Sequence, residues 1–212
     1  MSRRDAERET RRRFILDSAR RVLATKGVEE TSMDDIAGGA EYTRRTLYSY
    51  FKSRDEIYLS LFLEDMEARR DLQQNAVAEA GNGLEKITAW GLAFYEYARH
   101  NPHAMRLQLY WDFRGIAESM ISPTIFSRFE AINHLLAEDL RDIFQHGIAD
   151  GSLRRDIDVD MCISQYLYTM RAVLNRAIFP GYSFASFDAD SYVHHYLDLF
   201  GRAIRRTGGK QA

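Results

Sequence analysis

The chain has 212 residues, 45% hydrophobic and 28% charged, with a formal net charge of -2. That length suits one domain of moderate size or a small domain joined to a larger one, and the composition excludes disordered and fibrous classes. The charge is uneven, since residues 1–55 carry 13 Lys and Arg against 10 Asp and Glu while residues 56–212 carry 16 against 21, a division that suggests two parts with different partners.

The punctuation is helical throughout, with no sustained strand-type alternation. Roughly nine helices are predicted, over 8–26, 32–39, 43–50, 54–80, 84–100, 102–115, 123–149, 158–179 and 188–206, making the fold all-α. In the first, Phe14, Ile15, Ala19, Val22 and Leu23 recur on one side while Arg12, Arg13, Arg20 and Arg21 occupy much of the rest. Gly27 supplies its C-terminal stop, and the arginines from Arg3 to Arg13 are expected to form a soluble, partly frayed arm or to touch a phosphate backbone. Thr31 or Ser32 caps the second helix, with a carboxylate three residues on, and Ile36, Ala37 and Ala40 face inward.

The stretch AEYTRRTLYSYFKSRDEI follows. Thr43 is the expected N-cap of a third helix that sets Leu47 and Phe51 on one face and Arg44, Arg45 and Tyr48 on another. Two short helices joined in this way form a helix-turn-helix unit. Arginine near the start of its second helix can reach guanine O6 and N7, while threonine, tyrosine and lysine suit phosphate oxygens. Thr31, Ser32, Thr43, Arg44, Arg45, Thr46, Tyr48, Tyr50 and Lys52 form the candidate DNA-contacting set, and Ser53 with Glu56 opens the long fourth helix. A solvated helix face is the bland alternative for the arginine pair.

The run RRFILDSARRVLATKGVEETSMDDIAGGAEYTRRTLYSYFKSRDEI resembles the N-terminal DNA-binding domain of the tetracycline-repressor-like (TetR) family over nearly all of residues 8–60. Phe14, Ala19, Gly27, Thr31, Ile36, Ala37, Ala40, Thr46, Leu47, Tyr48, Tyr50, Phe51 and Lys52 carry the likeness, together with Val22 where the family's residue is phenylalanine-like. The family commonly has glycine where Glu41 stands; glutamate suits that turn only with a negative φ. The resemblance implies a helix-turn-helix domain over residues 1–53, a ligand-binding and dimerisation domain over 54–212, operator DNA as partner and repression as the usual mode.

Beyond residue 60 the aromatics concentrate. Trp90, Phe94, Tyr97, Tyr110, Trp111, Phe113, Tyr166 and Met170 are candidates for an apolar effector pocket, although any one of them is more often plain core. Asn101-Pro102 and Ser122-Pro123 each pair a capping side chain with a proline that opens the next helix, and Pro180-Gly181 is read as a stop, with a loop from Gly181 to Phe187. The last two helices show more apolar surface than one packed face needs. Leu167, Val173, Leu174, Tyr192, Tyr196, Leu199 and Phe200 are therefore assigned to a four-helix homodimer interface, which the family also implies, against two fully buried helices in a monomer.

Catalytic chemistry is disfavoured. There is no nucleophile-base-orienter set, no Gly-rich phosphate loop and no metal-ligand cluster, and neither cofactor nor metal is expected. His100 and His103 are separated by the helix break at Asn101-Pro102, and His194 and His195 point apart. The single cysteine, Cys162, rules out an internal disulfide and reads as a small buried hydrophobe. No uncharged apolar run approaches the roughly 18–20 residues of a membrane helix and no secretory signal precedes the first helix, so the cytoplasm is the expected location. The sequence points to a ligand-responsive DNA-binding repressor; a constitutive regulator without effector and a helical small-molecule enzyme are the alternatives.

Overall fold

The computed structural model describes residues 2–116, 121–179 and 187–206. Among them nine helices run as α1 Arg3–Lys26, α2 Met33–Gly39, α3 Arg44–Tyr48, α4 Arg54–Glu79, α5 Gly83–His100, α6 Pro102–Arg114, α7 Pro123–Asp150, α8 Val159–Ile178 and α9 Ala189–Ile204. The described residues hold no strand, only one isolated antiparallel bridge between Leu153 and Arg205. The expected stop at Pro180-Gly181 and most of the loop to Phe187 lie outside the described residues.

Two expectations about helix ends change. The first helix begins at Arg3 rather than near residue 8, because Ser2 and Asp5 form a capping box and Arg3 pairs with Glu7 one turn on at 3.4 Å. The arginine-rich start is thus helix rather than frayed arm. The Asn101 side-chain amide, expected to cap the sixth helix, instead donates to Tyr97 O at 2.9 Å and serves the end of α5. Cys162 is half-buried, and that burial raises its thiol above the ordinary value.

The chain forms two compact units, one from Met1–Met66 with His103–Ile132 and the other from Glu67–Pro102 with Asn133–Ala212. Helices α4 and α7 each supply residues to both. In the first unit Ile15, Leu16, Ala19, Ile36, Leu47, Phe51, Ile57 and Leu61 are buried together with Tyr58, whose hydroxyl donates to Val28 O at 2.9 Å. Burial pushes that phenol up to about 12, so it remains a donor at neutral pH.

In the second unit α8 and α9 pack on each other and on α5. Glycines permit the closest approaches. A Cβ on Gly83 would stand 2.1 Å from Gly147 Cα, so α5 and α7 meet backbone to backbone. A Cβ on Gly91 would stand 2.3 Å from the Tyr166 hydroxyl, which is fully buried and donates to Ile87 O at 2.7 Å. No helix of the described residues is long and apolar enough to cross a membrane.

Candidate nucleic-acid interface

The helix-turn-helix unit is assembled by short-range polar contacts over an apolar underside. Ser32 caps α2 and its hydroxyl accepts from Asp35 N at 3.1 Å, while the Asp35 carboxylate takes the Ser32 N–H at 2.9 Å. The Lys26 ammonium, hydrogen-bonded to the same carboxylate, and the Ser32 donors hold Asp35 down to about 2. What this pairing contributes to stability is therefore complete above the ordinary value of 3.8 and is lost as pH falls towards about 2.

The turn then closes through Tyr42 N to Ala37 O at 2.9 Å, and Glu41 adopts φ +54°. This corrects the negative angle expected for a glutamate there: the tight return between α2 and α3 requires a left-handed residue whatever side chain occupies it.

Thr43 caps α3, accepting from Thr46 N at 3.1 Å, and the two threonine hydroxyls lie 2.8 Å apart. Leu47 and Phe51 are buried beneath. On the outer side Arg44 lies over the Tyr48 ring at 5.7 Å, reaches the Tyr48 hydroxyl at 3.4 Å, and is steadied by Asp34 of α2 at 3.3 Å. Tyr48 is 46% exposed, Arg45 and Lys52 are exposed, and Tyr50 is half-buried under Arg8, 5.6 Å from its ring centroid. Arg44, Arg45, Tyr48 and Lys52 thus stand at the surface, and Ser32, Thr43 and Thr46 are helix caps or bonded to one.

Thr31 is the exception. It is fully buried, and its hydroxyl donates to Gly27 O at 2.6 Å, an inward direction that sequence reasoning missed. The Asp34 buttress and the Arg8 stack were also missed, since neither partner lies within a helical turn of its target.

The aromatic candidates divide between the units. In the second, Trp90 packs edge-on to Phe94 at 6.2 Å and against Tyr166 at 5.6 Å, and Arg69 lies 4.0 Å from the Phe94 centroid. Phe94, Tyr166 and Met170 are core residues; Tyr97 is half-buried. Trp90 lines a cleft of about 470 Å³ with Gln74, Val77, Lys86, Asp139, Ile143 and His146. In the first unit Tyr110 packs against Trp111 at 5.0 Å and Tyr58 at 5.6 Å, while Phe113 is 89% exposed beside a cleft of about 400 Å³. The eight candidates therefore do not line one common cavity within either unit.

Of the candidate dimer residues, Val173 and Leu174 belong to the chain's own core. Leu167, Tyr192, Tyr196 and Phe200 are half-buried, and Leu199 is 52% exposed.

The sequence profile described as "Bacterial regulatory proteins, tetR family" matches residues 15–61. The transcriptional repressor KstR2 of Mycolicibacterium smegmatis is 30% identical over 204 residues, covering 96% of this chain and 95% of that protein. The chain belongs to the TetR family. KstR2 of Mycobacterium tuberculosis strain H37Rv is 31% identical over 156 residues, 72% of this chain and 74% of that one. Among solved structures, the ketosteroid transcriptional regulator KstR2 of Mycobacterium tuberculosis aligns with a TM-score of 0.69 at 24% identity over 93% of this chain and 96% of that one. FadR of Bacillus subtilis, in complex with stearoyl-CoA, aligns with a TM-score of 0.72 at 19% identity over 91% and 98%. This TetR-family chain is accordingly a DNA-binding transcriptional regulator; the KstR2 relatives are repressors, and regulators of this kind are not enzymes.

Glu41 marks where this TetR-family chain departs from the common turn glycine. Glu41→Gly is expected to raise unfolding stability by about 0.5–1 kcal/mol, because release of the left-handed penalty exceeds the extra freedom glycine has when unfolded. Urea denaturation of the two proteins measures this, and a less stable glycine variant contradicts the strain.

Proposed function

We propose that the protein is a homodimeric repressor that leaves a near-palindromic operator when a small, largely apolar effector binds. The observation that carries the DNA half of this reading is α3, capped by Thr43 and anchored by Leu47, with Arg44, Arg45 and Tyr48 directed outward. Arginine at such a position reads guanine, and Tyr48 and Lys52 hold the flanking backbone. A dimer would set two copies of α3 into successive major grooves about 34 Å apart. Residues 1–53 would then be the DNA-reading part and 54–212 the ligand and dimer part, a functional division that differs from the packing units because α4 and α6 also support the reading helices.

The surface of α8 and α9 supports the dimer. Tyr168 and Leu199 are 66% and 52% exposed, large apolar groups beside the half-buried Tyr192, Tyr196 and Phe200. The cleft at Trp90 is the proposed effector site, with Val77 and Ile143 as apolar walls and Lys86 and His146 as polar points. A multi-ring molecule is the first class to test, since KstR2 of Mycobacterium tuberculosis is a ketosteroid transcriptional regulator. Helix α4 has 26 residues, about 39 Å at 1.5 Å each, and supplies Ile57 and Leu61 to one unit and Gln73 to the other. It is the element through which a ligand that prefers one conformation would lower operator affinity. A regulator of this kind works beside the chromosome, which supports a cytoplasmic location.

Three outcomes are expected. Arg44→Ala or Arg45→Ala weakens operator binding by about 1–3 kcal/mol with little effect on random duplex, measured by electrophoretic shift on the gene's own upstream DNA; equal losses on both would remove the base-reading role. Leu199→Glu yields a folded monomer by sedimentation, with weaker operator binding. A bound effector lowers operator affinity by a coupling of about 1–3 kcal/mol, and operator lowers effector affinity by the same factor. Calorimetry of ligand binding with and without operator checks that reciprocity; identical affinities favour a constitutive regulator.

A further inference from the structure

Beside α3 lies a cleft of about 510 Å³ that joins Tyr48, Tyr50 and Lys52, already assigned to DNA, to charged groups of α1 and α7. Its walls come from three stretches far apart in sequence: Arg8 and Arg12 of α1, the segment Tyr48–Lys52, and Thr124 and Arg128 at the start of α7. All belong to the same compact unit. Four cations, Arg8, Arg12, Lys52 and Arg128, face two carboxylates, Glu9 and Glu56.

The buried carboxylate is held by backbone donors. Glu56 is buried, and its oxygens take the backbone N–H groups of Lys52 and, at 3.2 Å, of Ser122. It therefore positions the Lys52 segment and the entry to α7 against each other. Glu9 is the weaker counter-charge, 3.9 Å from Arg12.

The arginines are arranged in advance. Arg8 stacks over the Tyr50 ring and donates to Ser49 O at 3.3 Å, and Arg12 stacks over Phe51 at 4.9 Å and donates to Ser60 Oγ at 3.0 Å. Stacking fixes a guanidinium plane while leaving edge N–H groups for an anion. Arg8, Lys52, Thr124 and Arg128 are all exposed.

The cleft is also continuous with the reading surface, because its wall includes Tyr48, the ring that Arg44 covers. A string of cations running away from a base-reading arginine complements the DNA backbone, which carries one phosphate per about 3.4 Å of axis on each strand.

We propose that this cleft holds a backbone phosphate of duplex DNA flanking the bases read by α3, with Arg8, Lys52 and Arg128 as its cations. The inference rests on the reading of α3 as the DNA-facing helix and extends the footprint to α7, a helix that the sequence alone assigns to ligand binding and dimerisation. Because α7 also contributes Asp139, Asp142, Ile143 and His146 to the Trp90 cleft, one helix would carry residues of both sites.

The test measures binding to a mixed-sequence duplex of about three helical turns by fluorescence anisotropy, since a phosphate contact does not depend on sequence. Salt is varied between about 50 and 200 mM. Arg128→Ala is expected to shrink the slope of log affinity against log salt by about 0.9 and to reduce affinity about 5–10-fold near 0.1 M. Arg128→Lys is expected to retain the wild-type slope, and Arg202→Ala, which removes a cation paired with Asp198 on α9, to change neither quantity. A wild-type slope in an Arg128→Ala protein with unchanged circular dichroism overturns the proposal. So does an Arg128→Lys slope as low as that of alanine, or an Arg128→Ala effect on sedimentation in place of DNA binding. Wild-type protein that binds no duplex at low salt would instead remove the underlying reading of α3.

Discussion

Two adjacent carboxylates at the start of α4 tie together the helices of the first unit. Asp55 and Glu56 are both buried, and a buried charge is tolerated only where hydrogen bonds replace the lost water. Asp55 takes the Tyr110 hydroxyl at 2.7 Å and Arg114 at 3.3 Å, both from α6. Glu56 takes backbone N–H groups from the Lys52 segment and from Ser122, and its own N–H donates to Ser53 Oγ at 3.1 Å. Burial, and then the bond to Asp55, push the Tyr110 phenol up, so it stays a donor. One turn of α4 thereby fixes the segment after α3, the second half of α6 and the beginning of α7.

That arrangement explains why the packing units differ from the division at residue 53 that the sequence suggests. A small helix-turn-helix of about fifty residues buries little apolar surface by itself, and below roughly 60 residues such a domain is marginal. Here α4 completes its core with Ile57, Tyr58 and Leu61, and α6 adds Tyr110 against Tyr58. Arg54 contributes as well, donating to Thr31 O at 2.9 Å and lying 5.3 Å from the Tyr58 ring centroid. The helix-turn-helix is consequently supported by residues beyond position 53. Helix α4 is tied to the segment after α3 by the bond from Lys52 N to Glu56, and to α6 by the bond from Tyr110 to Asp55.

The second unit is organised by close approach rather than by charge. Gly83 with Gly147, and Gly91 with the Tyr166 hydroxyl, allow α5 to contact α7 and α8 at distances that a methyl group would block. An ion pair reinforces the contact of α4 with α7, where Arg70 meets Asp139 through two bonds of 2.6 and 2.8 Å. The aromatic residues Trp90, Phe94 and Tyr166 are consumed in this packing. What they leave at the surface is the Trp90 cleft on one side and the apolar residues of α8 and α9 on another.

By itself the sequence determined the helical plan and the caps of the helix-turn-helix, because the signals involved act within one helical turn. Ser32 with Asp35, Thr43 with Thr46 and the Leu47–Phe51 pair are separated by three or four residues, and each adopts the arrangement that its spacing implies. Only the tertiary structure decided the rest. Whether Thr31 faces DNA or the core depends on Gly27 O and on the helices packed over it, and Glu41 takes a left-handed angle because the junction of α2 and α3 demands one. Tyr110 and Ser122, which bind Asp55 and Glu56, lie 55 and 66 residues away from them, and the aromatics divide between two units. Helix caps are set by neighbours along the chain, whereas burial, counter-charges and clefts are set by neighbours in space, which no local periodicity specifies.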